Sequence, residues 1–273
     1  MNFLNKNILI CCHDAGSANL IYFWKKKHKK NNFFFYNKGP ALKIFKKKNI
    51  NLNQLIKLKL DIIITGTSQF SDLENKIRFI ARRKKIFSVT FLDHYVNYKK
   101  RFIFKGKLEL PDELWSFDIY SFKIAKKTFK NVTIKKKLNY FVSYLKKKVI
   151  IKKKFNNNYL YFTEPFFFKN RGNEFIYLRK FLNYFKNKKK LNIKIKLHPS
   201  EKLNKYDKII KDYKNLNIKV IKNSKLENLI NWCDKVYGCE TYAMIIAKKC
   251  NRKVYTLMSS KKFRLPKKLI KSF

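Results

Sequence analysis

Four short polar clusters interrupt the apolar and lysine-studded stretches of this sequence, and each holds residues able to move a proton or bind an anion. The first is HDAGSAN, residues 13–19. His13 and Asp14 stand directly after the apolar run ILICC, and a carboxylate or imidazole so placed can take a proton from a hydroxyl group. Gly16 permits close approach or an unusual backbone angle, and the amides around Ser17 open a helix that can face an anion or polar ligand. Asp14 alone would serve equally well as a helix N-cap. His13, Asp14, Gly16 and Ser17 together favour a site. The second cluster, TGTSQFSD (65–72), sets Gly66, Thr67 and Ser68 ahead of a helix. The third, LDHYVNYKKRF (92–102), places Asp93 and His94 after a strand, as a general base with its neighbour or as a structural hydrogen-bonded pair. Adjacent strand residues point to opposite faces, so the two converge only where the strand has ended.

The fourth cluster is assembled from three segments of the second half. FTEP (162–165) supplies Thr163 and Glu164, LHPSE (197–201) supplies His198, Pro199 and Ser200, and YGCETYA (237–243) supplies Gly238, Glu240 and Thr241. His198 closes a strand and is placed to donate to a phosphate oxygen. Thr241 stands at a helix start, where its hydroxyl and the free amides suit an anion. Phosphate would repel Glu240, which fits a ribose hydroxyl or a capping role equally. No DxD pair, P-loop or GxGxxG is present. The sequence therefore calls for no metal and no resident cofactor.

Parallel strands are the elements that would bring such clusters together. NILICC (7–12), NFFFYN (32–37), DIIITG (61–66), IFSVTFLD (86–93) and ELWSF (113–117) read as strands. Helical patterns cover 16–29, 40–48, 52–58, 71–85 and Asp118 to about Phe129. Ser71 with Glu74 three residues later matches a capping box. After a Lys- and Asn-rich joint near 146–158 the alternation restarts. A strand and loop at 159–165 and strands at 193–199, 218–222, 235–240 and 253–258 alternate with helices at 173–189, 202–214, 225–233 and 241–249. Such alternation predicts an α/β protein: two Rossmann-like domains, 1–150 and 151–273, with parallel sheets facing a central cleft. Ligands of open parallel sheets bind beyond the carboxyl ends of the strands, where all four clusters fall.

The chain has 273 residues, with 66 Lys and Arg against 17 Asp and Glu, a formal charge of +49. An AT-rich genome would enrich Lys, Asn, Ile and Phe, but it would enrich Glu too, and Glu is scarce. An anionic partner is therefore expected. The runs WKKKHKK (24–30), KKK (46–48), RRKK (82–85), KNKKK (186–190) and KK (248–249) close predicted helices. They complement helix dipoles and gather at the amino edges of the sheets, away from the ligand ends. An outer face of that kind suits an anionic membrane surface, or is simply solvated. Nucleic acid is disfavoured, because no RNP-type, zinc-knuckle or KH-type motif is present. The five cysteines lack CxxC spacing and read as buried apolar residues in a reducing compartment. No apolar run reaches the roughly 20 residues of a membrane span. A cytoplasmic protein, peripheral at the inner membrane surface, is expected.

KLHPSE followed some forty residues later by YGCETYAMIIA resembles the donor-binding domain of GT-B-fold glycosyltransferases of bacterial capsule and lipopolysaccharide synthesis. The likeness extends to the sialyltransferase-like and CDP-glycerol glycerophosphotransferase-like groups and to the UDP-N-acetylglucosamine 2-epimerase fold. HDAGSANLI, GTSQFSDLE, FLDHYVNYKKRF and LPDELW look like the first halves of polysaccharide-locus proteins of that architecture. The resemblance implies a GT-B-like fold and a nucleotide-sugar donor, with its phosphate held by His198–Pro199 and Thr241. Glu240–Thr241 stands where sialyltransferase-type relatives carry a pair of hydroxyl residues, which argues against a CMP-sugar.

The expected activity is metal-independent transfer of a sugar, or an alditol phosphate, to a glycan or lipid-linked acceptor of a surface polysaccharide. Asp14 is the first choice for the base, followed by His13 and Asp93–His94. The alternatives are a nucleotide-sugar 2-epimerase or hydrolase that needs no acceptor, and a non-enzymatic protein that binds nucleic acid or membranes.

Overall fold

Short apolar runs, isoleucine-rich in the first half and aromatic in the second, form the centres of two separate sheets. The computed structural model describes residues 3–69, 71–150, 156–166, 173–259, 261–268 and 270–273. The chain divides into two compact units, Met1–Phe141 and Val142–Phe273.

The first unit begins with β1 (Asn7–Cys11), α1 (Ala15–Lys27), β2 (Asn32–Phe35), α2 (Pro40–Phe45), α3 (Leu52–Lys57) and β3 (Ile62–Thr65). It continues through α4 (Leu73–Arg83), β4 (Phe87–Phe91), a hairpin of β5 (Ile103–Phe104) and β6 (Lys107–Leu108), β7 (Glu113–Ser116), α5 (Ile119–Thr128) and β8 (Thr133–Lys136). Its main sheet is parallel, in the order β2-β1-β3-β4-β7-β8. Ile8, Leu9 and Ile10 pair with Ile62, Ile63 and Ile64, and all six are buried, as a sheet covered on both faces requires. Leu55, Leu73, Ile77 and Ala81 pack against Leu9, Cys11 and Ile63, fixing α3 and α4 on one face.

Helix α6 (Tyr140–Lys148) spans the division between the units. The second unit continues with β9 (Asn158–Phe162), α7 (Glu174–Phe185), β10 (Asn192–Lys196), the short α8 (Asp207–Ile210) and β11 (Asn217–Ile221). Then come α9 (Leu226–Trp232), β12 (Lys235–Gly238), α10 (Tyr242–Lys249), β13 (Lys253–Thr256) and β14 (Lys271–Ser272). These strands form a parallel sheet ordered β11-β10-β9-β12-β13-β14. Its core is aromatic, with Tyr161 on Phe181 at 4.9 Å and Tyr159 on Phe185 at 4.7 Å between ring centres.

Strand order reverses between β1 and β3 in the first unit and between β9 and β12 in the second. Those are the points where an open parallel sheet offers a crevice to a ligand. The opposite, amino edges are clamped. Asp61, Asp112 and Asp234 precede β3, β7 and β12, and each accepts a backbone amide from the strand alongside: Asn7 at 2.8 Å, Ser88 at 2.7 Å and Asn158 at 2.9 Å. An asparagine ladder runs across the second sheet, from Asn217 to Asn192 at 2.7 Å and from Asn192 to Asn158 at 3.0 Å.

Several local expectations change. Helix α4 is capped at Asp72, without a side-chain bond, Ser71 Oγ accepts from the Leu73 amide at 3.2 Å, and the Glu74 carboxylate turns to the His13 amide, so the capping box is not formed. The helix expected over 202–214 is reduced to α8 and a 3-10 turn at Lys211–Tyr213. Strand β8 and helix α6 fill a region left unassigned by pattern. Basic residues do close α1, α4 and α10, but Lys186–Lys190 follow α7, whose last turn carries none. Among the described residues no helix is long and apolar enough to cross a membrane. All five cysteines are buried and unpaired with one another.

Candidate active site

In the first unit, the chain leaving β1 is held from both sides. The Cys12 amide donates to Asn37 Oδ1 at 2.9 Å, and the His13 amide donates to Glu74 Oε1 at 2.8 Å. Each partner keeps its other polar atom, Asn37 Nδ2 and Glu74 Oε2, buried without a hydrogen bond. Buried orphan polar atoms are costly, and a catalytic role is one reason for a protein to keep them. Asp14 occupies the N-cap position of α1 but makes no capping bond. Its Oδ1 lies 2.7 Å from His13 Nδ1 instead. The acceptor carboxylate makes Nδ1 the protonated nitrogen of a neutral ring and Nε2 the basic one.

Glu74 is only 1% exposed. Burial pushes its carboxyl up to about 7, and the neighbouring charge of Asp14 adds to the rise, against the His13 amide and Arg78, which oppose it. A carboxyl poised there can both accept and return a proton near neutrality.

Asp93, at the end of β4, is wholly buried and accepts from Thr67 Oγ1 at 2.9 Å. His94 Nε2 lies 3.2 Å from its Oδ2, without hydrogen-bond alignment. Burial would raise the Asp93 carboxyl, but His94, Arg101 and Thr67 outweigh it and hold it below the usual range. Arg101 is 5% exposed, its Nη1 has no hydrogen-bond partner, and it feels the charges of Asp93, Asp14 and Glu74. Arg78 is fully enclosed, donating to Thr65 Oγ1 at 3.0 Å and to the carbonyls of Gly66, Arg101 and Glu109 at 3.2 Å.

Three glycines admit this packing. A Cβ on Gly16 would stand 2.1 Å from Asp93 Oδ2, and one on Gly66 would stand 2.2 Å from Ser17 Oγ. Gly39, at φ +54° and ψ −141°, lies against the His13 ring, and a Cβ there would meet Nε2 at 2.6 Å. The structure thus joins His13, Asp14, Gly16, Ser17, Gly66, Thr67, Asp93 and His94 at one sheet end, with the buried Ser68 beside Thr67. Glu74, Arg78, Arg101 and Asn37 belong there too, and sequence reasoning missed them. Glu74 was absorbed by a capping pattern, and Arg101 was one cation among many.

The second unit has its own cluster. The His198 amide donates to Thr163 Oγ1 and Glu201 Oε2, both at 2.9 Å. His198 Nδ1 lies 2.7 Å from Ser200 Oγ and accepts from the Ser200 amide at 3.3 Å. A backbone amide can only donate, so the neutral ring carries its proton on Nε2, the tautomer suited to donating to an anion. Pro199 follows at the turn. Glu201 is 4% exposed and bonds Thr163, Tyr206 at 2.6 Å and Lys205 at 2.7 Å. Burial raises its carboxyl, but Lys205, Thr163, Tyr206 and the His198 amide hold it below the usual range.

Across the switch point, Glu164 Oε2 accepts the Glu240 amide at 2.9 Å. The Glu240 carboxylate is engaged by Arg264, at 2.7 Å from Nη2 and 3.2 Å from Nε, so a ribose hydroxyl would share it with that guanidinium. Thr241 caps α10 by position, its hydroxyl making no capping bond. Gly238 is required by the Phe162 carbonyl, 2.9 Å from where a Cβ would stand. Among the described residues, no group of three or more His, Cys, Asp or Glu side chains could hold a metal ion. A depression of about 790 Å³ lies at the amino edge instead, lined by Lys186–Lys190, Asn192 and Asn215–Asn217. It holds no acid–base pair.

No protein-family model matches this chain, and neither does any curated protein sequence. Solved structures share its fold. UDP-GlcNAc 2-epimerase from Neisseria meningitidis, bound to UDP-GlcNAc, is similar over 94% of this chain and 84% of that one, with 12% identity and a TM-score of 0.66. The enzyme of that name from Methanocaldococcus jannaschii, in complex with UDP-GlcNAc and UDP, covers 92% and 83% at 12% identity and a TM-score of 0.66. The glycotransferase of kitacinnamycin covers 95% and 82% at 8% identity and a TM-score of 0.56. The likeness is one of fold: two Rossmann-like parallel-sheet units of the GT-B type.

Proposed function

We propose that this chain acts on a nucleotide-activated sugar, its first unit supplying proton-transfer groups and its second binding the nucleotide's phosphate. The observation that carries this reading is Glu74, a carboxyl poised near 7 with one oxygen unpaired, beside the His13–Asp14 pair. In the second unit, His198 Nε2–H and the α10 start at Thr241 suit phosphate oxygens, and they neutralise charge on a departing nucleotide.

Two reactions use these parts. In 2-epimerisation by elimination and re-addition, a base takes the sugar C2 proton as the C1–O bond breaks and the nucleotide leaves as its phosphate anion. A proton then returns to the opposite face of C2 as that phosphate re-adds at C1, so two carriers are needed. Glu74, His13–Asp14 and Asp93–His94 meet that demand within one unit, and the epimerase fold neighbours favour the same reading. Transfer to a glycan or lipid-linked acceptor needs one base, to take the acceptor's hydroxyl proton, and is the second reading; Asp14 or Glu74 would serve.

Incubation with UDP-N-acetylglucosamine, and with CMP, CDP and GDP sugars, in deuterium oxide without acceptor tests both. Deuterium appearing at C2 with inverted configuration is the expected result. Turnover that waits for an acceptor and retains the C2 hydrogen would select transfer. Absence of both, with no thermal shift from any nucleotide, would remove nucleotide sugars as substrates.

A further inference from the structure

The β5–β6 hairpin has an unpartnered face. Ile103 and Leu108 are cross-strand partners, yet they are 41% and 46% exposed. Beside them Phe104 packs on Phe79 of α4 at 5.8 Å, and Lys105, Arg82 and Arg83 lie 5.6–5.8 Å from these two rings. Lys99, Lys105 and Lys107 are exposed around the pair, and residues 94–108 contain no Asp or Glu. The hairpin is also rigidly rooted. Asn75 donates to the Ile103 carbonyl at 3.3 Å, Arg78 binds the carbonyls of Arg101 and Glu109, and Arg82 grips the Glu109 carboxylate at 2.8 and 2.9 Å.

We propose that this hairpin, with the outer face of α4, docks onto an anionic phospholipid bilayer. Its chemistry is that of an interfacial anchor: two aliphatic side chains to enter the headgroup boundary, ringed by cations for lipid phosphates. Charge complementarity selects this occupant over a protein partner. The exposed charges around the pair, Lys99, Lys105 and Lys107, are basic, the neighbouring Glu109 being buried and held by Arg82. The aliphatic centre has no hydrogen-bonding groups with which to read nucleic acid. The inference stands apart from the reaction proposed above.

Co-sedimentation of the full chain with vesicles of equal parts phosphatidylglycerol and phosphatidylcholine tests it. Tight binding to these, and weak binding to phosphatidylcholine alone, is expected. Replacing Lys99, Lys105 and Lys107 with Gln should weaken partition about a hundredfold, each residue counting for ~1 kcal/mol at the surface. The pair Ile103→Asp and Leu108→Asp should weaken it at least about tenfold. A charge-matched control, Lys186, Lys189 and Lys190 to Gln at the amino edge, should lose far less. Equal loss from the control would overturn the proposal in favour of diffuse charge. So would undiminished binding by the Asp pair, or RNA binding that depends on the hairpin more steeply than vesicle binding does. Thermal unfolding of each variant confirms that it is folded.

Discussion

Glu74 is asked to do two incompatible things: support the chain after β1 through the His13 amide, and carry a proton. Burial resolves the conflict by making its charged form expensive. Glu74→Gln keeps an oxygen for the His13 amide but cannot ionise. Turnover should fall about 10²–10⁴-fold, and the rise in kcat/KM with an inflection near pH 7 should vanish. Stability should move the other way. The folded carboxyl titrates near 7 against an ordinary 4.5, so its contribution is whole below about 4.5 and is lost as pH rises to 7. The variant should therefore gain on the parent by up to about 3 kcal/mol between pH 5 and 8, read from denaturant midpoints at each pH. A constant gap would show that Glu74 does not titrate there. Gly39 gives a second test at this scale. Its backbone region is nearly exclusive to glycine, and its Cα lies against His13, so Gly39→Ala should cost about 1–3 kcal/mol and depress activity beyond that loss. A stable, fully active variant would separate His13 from the site.

Among elements, the loop after β10 depends on Glu201, which draws Thr163, the His198 amide, Lys205 and Tyr206 onto one buried carboxylate. Removing one member of such a buried network costs about 3–5 kcal/mol. Glu201→Ala should lose about that much and loosen phosphate binding through His198, measured by nucleotide-induced thermal shift. Because the folded carboxyl titrates below its ordinary value, its support is present above the unfolded pKa and disappears as pH falls through the folded one. The acid limb of stability should flatten in the variant, and an unchanged limb would remove Glu201 as its cause. These same elements show what the sequence could convey. β1, β3 and β9 are buried on both faces; pattern locates β1 and β3 to a residue at each end and finds the start of β9. The helix expected from Asp118 starts one residue later, and Asp118 caps it, accepting from the Tyr120 and Ser121 amides at 2.9 Å. β8 reads TIKK and β14 reads KS, edge strands with too little apolar content to stand out. Glu74 was misassigned because SDLE satisfies a local rule, while its real partner lies 61 residues away. Desolvation and long-range pairing make it a site residue, and neither is written in local spacing.

For the molecule as a whole, a charge of +49 means that self-repulsion opposes the compact state. Added salt shortens the screening length from ~30 Å at about 0.01 M to ~8 Å at about 0.15 M. The melting temperature should rise over that range, because repulsion among lysines outnumbers the exposed ion pairs that salt weakens. A fall would mean that the pairs dominate.

The clamps at the amino edges give the acids of this chain an unusual standing. Asp61, Asp112 and Asp234 tie neighbouring strands together, so the rarest charge is built into the frame while the commonest coats the outside. Tolerance to replacement should be inverted relative to an ordinary soluble protein, with lysines exchangeable and aspartates not. Compositional drift can run freely through the coat and must halt at the clamps.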